Sequence, residues 1–371
     1  MTTTAPARHA APRPSPTGTR VAGLDQPRRL NRTTLDDRLS LAGAAFGSAS
    51  LVWVLYDQVL PFAGVLGFLV CWYIAFLAFY AALTAMAHPR PLVVDRLAKA
   101  VITGGAAIVG LALIFTILYT FIRGWRPLVH LNFYTKDMGG VQPGDSLKRG
   151  GVLHAIAGTG IELGIAVAVS LPLGVVAAIY MSEVGAGFAK VVRTVVEAMT
   201  ALPDLIAGLF VYTTLILALG LQRSGLAAAI ALSITMLPII ARSAELALRV
   251  VPGGLREAGV ALGATQWRTV WQVVLPTAAP GLATALILAV ARAAGETAPL
   301  LIANGDSQYL NVNPTSNPMN SLPLFVYKAF KSGDPAYIQR GFGAASLLLV
   351  LVLSAFIILR LIARGPSGRS R

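Results

Sequence analysis

Apolar stretches close to the length of a bilayer crossing recur along the whole chain, at residues 39–57, 62–86, 97–122, 155–180, 196–219, 226–248, 278–302 and 342–363. A helix needs about 20 such residues to cross the roughly 30 Å hydrocarbon core. Eight of them in 371 residues leave little chain for anything else. The expected fold is therefore an all-α polytopic membrane protein. Composition agrees: only 12% of residues are charged, where a soluble domain carries roughly a quarter. A soluble protein with several wholly buried helices does not account for so many runs of this length.

The segments between the runs divide the chain. Residues 1–38 are rich in Pro, Thr, Ala and Arg and lack an apolar core, so they are expected to be a disordered tail. They do not read as a signal peptide, since the first apolar run starts late and shows no clear cleavage site. Residues 39–93 form a helical hairpin, its turn marked by Pro61 and Gly64. A first core span and a loop occupy 94–154, the core proper 155–364, and a short tail 365–371. With the N-terminus inside, eighteen Lys and Arg fall on the inner side and nine on the outer, with Arg242, Arg292 and Arg360 inside helices. That bias predicts both termini in the cytoplasm.

The net charge of +14 has the same origin. The arginines sit at the ends of apolar runs and do not gather on one face, so nucleic acid is not an expected partner, whereas membrane lipid is. The single cysteine, Cys71, has no internal disulfide partner and suggests no redox role. Two long outer connections, 123–154 and 303–341, are rich in Gly, Pro, Asn and Asp. In the second, Ser321 is placed to cap a short helix over 322–331.

The stretch 250–276, VVPGGLREAGVALGATQWRTVWQVVLP, is an inner loop patterned too regularly for a linker. Pro252 suits a helix start, with Leu255, Ala258 and Leu262 near one face. Gly263 suits the left-handed residue that ends a helix, and Thr265 the cap of the next. Trp267, Val270, Trp271 and Val274 then recur at the spacing of one amphipathic face. The expected result is a helix–Gly–helix knuckle whose apolar side needs a partner or the membrane surface.

Two charges share the late apolar run AVARAAGETAPLLIA: Arg292 and Glu296, spaced i, i+4. A charge at the centre of a span costs about 2.5–3.5 kcal/mol on insertion scales, so the two are expected to pair on one helix face. Two readings stand: a structural ion pair between packed helices, or part of an anion path, where arginine's planar fork fits phosphate oxygens. Arg242, near the inner end of the sixth run, is either a snorkelling interfacial arginine or a second path residue. Asp204, after Pro203, is awkward in an anion path and is expected either to pair with an arginine of another helix or to lie nearer the interface. Glu162 and Glu197 are placed at interfaces.

Glu257-Ala258-Gly259, Gly263 and Val273-Val274-Leu275-Pro276 keep the order and spacing of the E-A-A, Gly, I-x-L-P pattern across 20 residues. The loop resembles the EAA loop of bacterial ABC importer permeases, departing from it at Gly259 and Val273. The segment 158–183 is similar to the first core helix of such permeases. GETAPLL at 295–301 and NSLPLFVYKAF at 320–330 resemble phosphate importer permeases of the PstA type, and the resemblance covers about 95–364. It implies a MetI-like core of six helices preceded by the extra hairpin. It also implies ATP-driven phosphate import across the inner membrane, by alternating access.

The partners so implied are a second homologous permease, a dimer of ATPase subunits and an extracytoplasmic phosphate-binding protein. The ATPase contact would fall on Glu257, Ala258, Gly259, Gly263, Trp267, Leu275 and Pro276, and the substrate path on Arg292, Glu296 and Arg242. Sulfate or molybdate permeases share the loop motif and remain an alternative. An ion-coupled secondary transporter would explain the buried charges but not the knuckle. No Lys follows a Gly, so the chain has no GxxxxGK[ST] loop, and hydrolysis is expected on a separate subunit. No His, Cys, Asp or Glu cluster has metal-ligand spacing, and no catalytic residue or cofactor is expected.

Overall fold

The computed structural model describes residues 35–59, 64–184 and 187–363. Of the expected tail over 1–38, residues 1–34 lie outside these, and the remainder opens the first helix; the 365–371 tail and Pro61 also lie outside. Seven helices are long and apolar enough to cross a membrane, and an eighth crossing is available from two helices bent by 100° at a short break. The described residues contain no strand.

Two compact units divide between Leu111 and Ala112. The first contains α1 (Leu35–Trp53), which continues as a π-helical stretch to Val59, then α2 (Val65–Ala87) and the first part of α3 (Arg90–Leu128). Gly64 enters α2 at φ 119°, a conformation that favours glycine. Small residues let α1 meet α2 closely: Ala44 and Ser48 are buried, and Gly47 lies against Phe79. Trp72 Nε1 donates to the Ala45 carbonyl at 3.2 Å.

The second unit holds the rest of α3, then α4 (Asn132–Thr135), α5 (Leu153–Ile179), α6 (Gly187–Thr200), α7 (Asp204–Val211) and α8 (Gly225–Arg249). After these come α9 (Gly253–Ala261), α10 (Gln266–Thr269), α11 (Leu275–Ala293), α12 (Ala298–Ala303), α13 (Leu322–Lys331) and α14 (Pro335–Ala363). π-Helical stretches extend α5 to Val184 and α7 to Ala218, and join α10 to α11. The centre is the α5–α8 pair, with α11 packed on α8. Ala166, Ala228, Leu232, Met236 and Ile240 are buried there with Ala289 and Ala293. A Cβ at Gly174 would fall 2.7 Å from Ile240. Small residues at such seams let backbones approach where lipid supplies no hydrophobic drive.

Two predicted spans need correction. The run 196–219 is not one helix: its first residues belong to α6, and the chain turns at Ala201–Pro203 before α7 starts. Pro203, with no N–H to continue a helix, occupies the cap position of α7. The run 278–302 is also broken. It ends as α11 at Ala293, passes through Gly295 and Glu296, and resumes as α12.

The two long connections are folded against each other. Met138 N donates to the Gln308 carbonyl at 2.9 Å, and Leu310 N to Asp137 Oδ2 at 2.9 Å. Phe133, Met138, Val152, Leu322 and Phe325 share a core there. Arg340 is buried in the same region; its Nη2 donates to the carbonyls of Asp145, Ser146 and Arg149 at 3.2, 2.8 and 2.9 Å. Ser321 does occupy the cap position of α13, but its hydroxyl makes no capping bond. Thr159 Oγ1 of α5 accepts from Leu322 N at 2.8 Å instead.

Candidate functional site

The first chain break opens onto a cleft that the end of α11, just before the second break, also lines. Met199, Thr200, Leu202 and Asp204 reach it from the α6–α7 turn, Arg292 from the end of α11, and Thr235, Pro238 and Ile239 from the middle of α8. The cleft is small, about 130 Å³. Non-helical backbone at membrane depth is tolerated where it lines a cavity or is buried in protein. Pro238 adds to the polar backbone here, since it has no N–H to give the Ile234 carbonyl.

The charges sit on the edges of the breaks. Asp204 is the first residue of α7, where the positive end of the helix dipole favours a carboxylate; Arg292 is in the last turn of α11, where the negative end favours a cation. Arg292 Nη2 lies 3.1 Å from Asp204 Oδ2, and its Nε lies 3.3 Å from Glu296 Oε1. The expected i, i+4 pair is thus formed, with one change. Glu296 lies past the end of α11, in the break, so the two do not share a helix face. Of the two places expected for Asp204, the structure shows the pairing with an arginine of another helix. Arg292 remains half exposed.

Arg242 belongs to another cluster. Its Nη1 lies 3.0 Å from Glu245 Oε2 and 3.5 Å from Glu197 Oε1. Glu245 is 1% exposed and also receives Arg193 Nη2 and Arg249 Nη2, each at 2.6 Å on Oε1. Arg242 and Arg292 share no partner and do not line the same cleft. Glu162 is buried in α5, where it accepts from Asn304 Nδ2 at 2.5 Å.

The knuckle matches its sequence closely at the first helix. Pro252 caps α9, Gly263 has φ 83°, and Thr265 Oγ1 accepts from Arg268 N at 3.4 Å. Glu257 and Ala258 lie on the exposed α9, and Leu255 and Leu262 are exposed too. The second helix differs. Val270 and Val274 are buried, while Trp267 and Trp271 are exposed, so the four do not form one face. Leu275 and Pro276 do not close a loop either, because Gln266–Ala293 is one continuous helical run.

The departure at Gly259 has a physical reason. A Cβ there would fall 2.9 Å from Thr269 of α10, so the two helices close on a glycine.

Sequence reasoning missed what ties the knuckle to the core. Arg256 grips Glu183, with Nε at 3.2 and 3.1 Å from the two carboxylate oxygens and Nη2 at 2.8 Å from Oε1. Arg256 also donates to the carbonyls of Leu248 and Val251, and Gln266 Nε2 to that of Glu183 at 2.6 Å. Two such residues 73 apart carry no spacing signal. Beside them a concavity of about 690 Å³ opens against Glu257, Val260 and Ala261.

The second unit is thus a bundle of broken helices with a tethered knuckle, and comparison with known proteins gives the class. The family model described as the binding-protein-dependent transport system inner membrane component matches residues 170–367. The chain belongs to this family, as a permease of the PstA type. It is similar to the phosphate transport system permease protein PstA 1 of Mycobacterium tuberculosis, 35% identical over 260 residues, covering 70% of this chain and 84% of that protein. It is also similar to the PstA of Haemophilus influenzae, 33% identical over 258 residues, covering 69% and 89%. Among solved structures, an inward facing methionine ABC transporter, MetNI, aligns at 25% identity and a TM-score of 0.46, covering 57% of this chain and 93% of that one. The chain is a multi-pass membrane protein with an all-α permease core.

Proposed function

We infer that this chain is the transmembrane subunit of an ATP-driven importer that carries inorganic phosphate across the inner membrane by alternating access. The phosphate transport permeases to which it is similar support the substrate. The family's dependence on a binding protein supports an extracytoplasmic phosphate-binding protein as donor. A second homologous permease completes the pathway, and a pair of ATPase subunits hydrolyses ATP. The excess of Lys and Arg on one side supports both termini in the cytoplasm.

The observation that carries the mechanism is a half-exposed Arg292 held by two carboxylates at a double helix break. Arginine stays charged and has five N–H donors in a fixed fork. Asp204 and Glu296 occupy the guanidinium when the site is empty, so the cation is never unpaired at depth. Phosphate takes their place, and their return releases it. Arg242 serves the path nearer the knuckle. The exposed helix α9, with Glu257, Ala258 and Gly259, is the ATPase contact, Gly263 sets its exit, and Trp267, Leu275 and Pro276 carry its motion into the span. The hairpin over 39–93 is dispensable for transport.

Phosphate uptake measured beside subunit co-purification tests this reading. Arg292→Gln should assemble normally and lose uptake at least about tenfold, the factor that 1.4 kcal/mol makes. Arg292→Lys should recover little, for a point charge lacks the fork. Normal uptake in a neutral Arg292→Gln/Glu296→Gln double variant would leave only the structural ion pair. For the knuckle, Gly263→Asp strains a positive-φ residue and should release the ATPase while the chain stays in the membrane; wild-type co-purification of the ATPase would reject the contact.

A further inference from the structure

The hairpin and the start of α3 enclose a cleft for which the transport reading has no use. One wall is aromatic. Tyr73, Phe76 and Tyr80 of α2 stack in sequence, with ring centroids 6.3 and 5.9 Å apart. The facing wall is a stripe of small residues on α3, Ala100, Thr103, Gly104 and Ala107. Tyr73 lies directly against Gly104, and its hydroxyl is 3.5 Å from the Ala100 carbonyl. Leu41 of α1 supplies the rim, and the volume is about 490 Å³, inside the ~300–1,000 Å³ range of ligand clefts.

The polarity of this cleft is one-ended. Arg96 and Lys99 line it, and both precede the small stripe on the same helix face. From Arg96 to Ala107 is eleven residues, about 16 Å of helix at 1.5 Å per residue. That is close to half the ~30 Å hydrocarbon core. A molecule filling the cleft therefore meets two cations at one end and aromatic and aliphatic surface for the depth of one leaflet. A free anion would leave the apolar walls unused, and an apolar helix from another protein would bring no opposite charge to the basic end.

We propose that this cleft is a binding site for one anionic phospholipid. Arg96 and Lys99 hold its phosphate, and an acyl chain lies along Tyr73, Phe76 and Tyr80. Basic pockets between transmembrane helices bind anionic headgroups by the same chemistry. The proposal is independent of what the permease carries.

Native mass spectrometry of the full chain, titrated with phosphatidylglycerol or phosphatidylcholine, tests it. The wild type should retain one phosphatidylglycerol at a concentration at least tenfold below that needed for phosphatidylcholine. Arg96→Gln/Lys99→Gln should lose the preference. Ala107→Phe, which fills the apolar end and keeps both cations, should lose retention. Equal retention of the two lipids by the wild type would overturn the proposal even if the variants fail to accumulate. So would a preference unchanged in the double variant, or displacement of the lipid by inorganic phosphate. A photo-crosslinker at Thr103 should capture lipid, and capture of a polypeptide instead would also overturn it.

Discussion

Two arginine–carboxylate clusters lie within the second unit, and they are built in opposite ways. Around Glu245, one buried carboxylate is shared by Arg193, Arg242 and Arg249. Around Arg292, one half-exposed guanidinium is shared by Asp204 and Glu296. Three of the four Glu245 residues stand on a single unbroken helix, α8. All three residues of the Arg292 cluster stand at helix ends or in a break. The first arrangement cannot change its α8 partners by backbone movement short of breaking that helix. The second can, because two short non-helical links are free to absorb the movement. On the transport reading proposed above, charge in the membrane has two uses, one as a staple and one as an exchangeable contact, and the backbone beneath the charge separates them.

The contrast breaks most directly at Glu245. Glu245→Ala removes the common partner of three partly exposed guanidiniums and should destabilise the folded chain by about 1–3 kcal/mol, the cost of leaving hydrogen-bonding groups without their partner. Denaturation of the purified protein in detergent would measure this. A loss no larger than that of Arg292→Gln under the same conditions would erase the distinction.

The next effect is on transport. Asp204→Asn keeps a hydrogen-bonding group but removes one of the two charges that hold Arg292. Uptake should fall several-fold, with stability changed by less than about 1 kcal/mol. A change in stability matching Glu245→Ala would make the Arg292 cluster a second staple.

The smallest effect is at Arg249. Its side chain is about half exposed, and Glu245 keeps Arg193 and Arg242 when it is removed. Arg249→Gln should cost no more than about 1 kcal/mol and leave uptake unchanged. A larger loss would mean that the three arginines act as a unit and not as separate contacts.

Much of this contrast was legible before any coordinates. Apolar run length yields the helical class and nearly every crossing, because the bilayer sets one length for all of them. Gly263 and Thr265 announce their roles because positive φ and capping each admit few residue types. The Arg292–Glu296 pair was also expected, though from an i, i+4 spacing on one helix face that the break before Glu296 removes.

What stayed hidden has a common cause: partners distant in sequence. Arg292 and Asp204 are 88 residues apart, Arg256 and Glu183 are 73 apart, and Glu162 and Asn304 are 142 apart. No periodicity links such residues. Both helix breaks were hidden because apolar composition does not register a change of direction. Pro203, Gly295 and Pro299 were the local marks, the last two legible as loosening the helix, but proline also stands within the continuous helices α5, α8 and α11. The mixed tryptophan and valine pattern misled for a related reason. Val270 and Val274 face the second unit's own core, leaving Trp267 and Trp271 outside it.

The helical run from Gln266 to Ala293 has a mechanical meaning. It starts in the knuckle, beside the tether of Gln266 to the Glu183 carbonyl, and its last turn carries Arg292. Its 28 residues make a beam of about 42 Å at 1.5 Å per residue. If one end of such a beam is held and the whole tilts by about 5°, the other end sweeps about 4 Å, by the same geometry. An ion pair at 3.1 Å does not survive a displacement of that size. Leverage of this kind needs no chain of intermediate residues passing a signal along: a small swing where the knuckle is gripped is enough to pull a guanidinium out of the hands of Asp204.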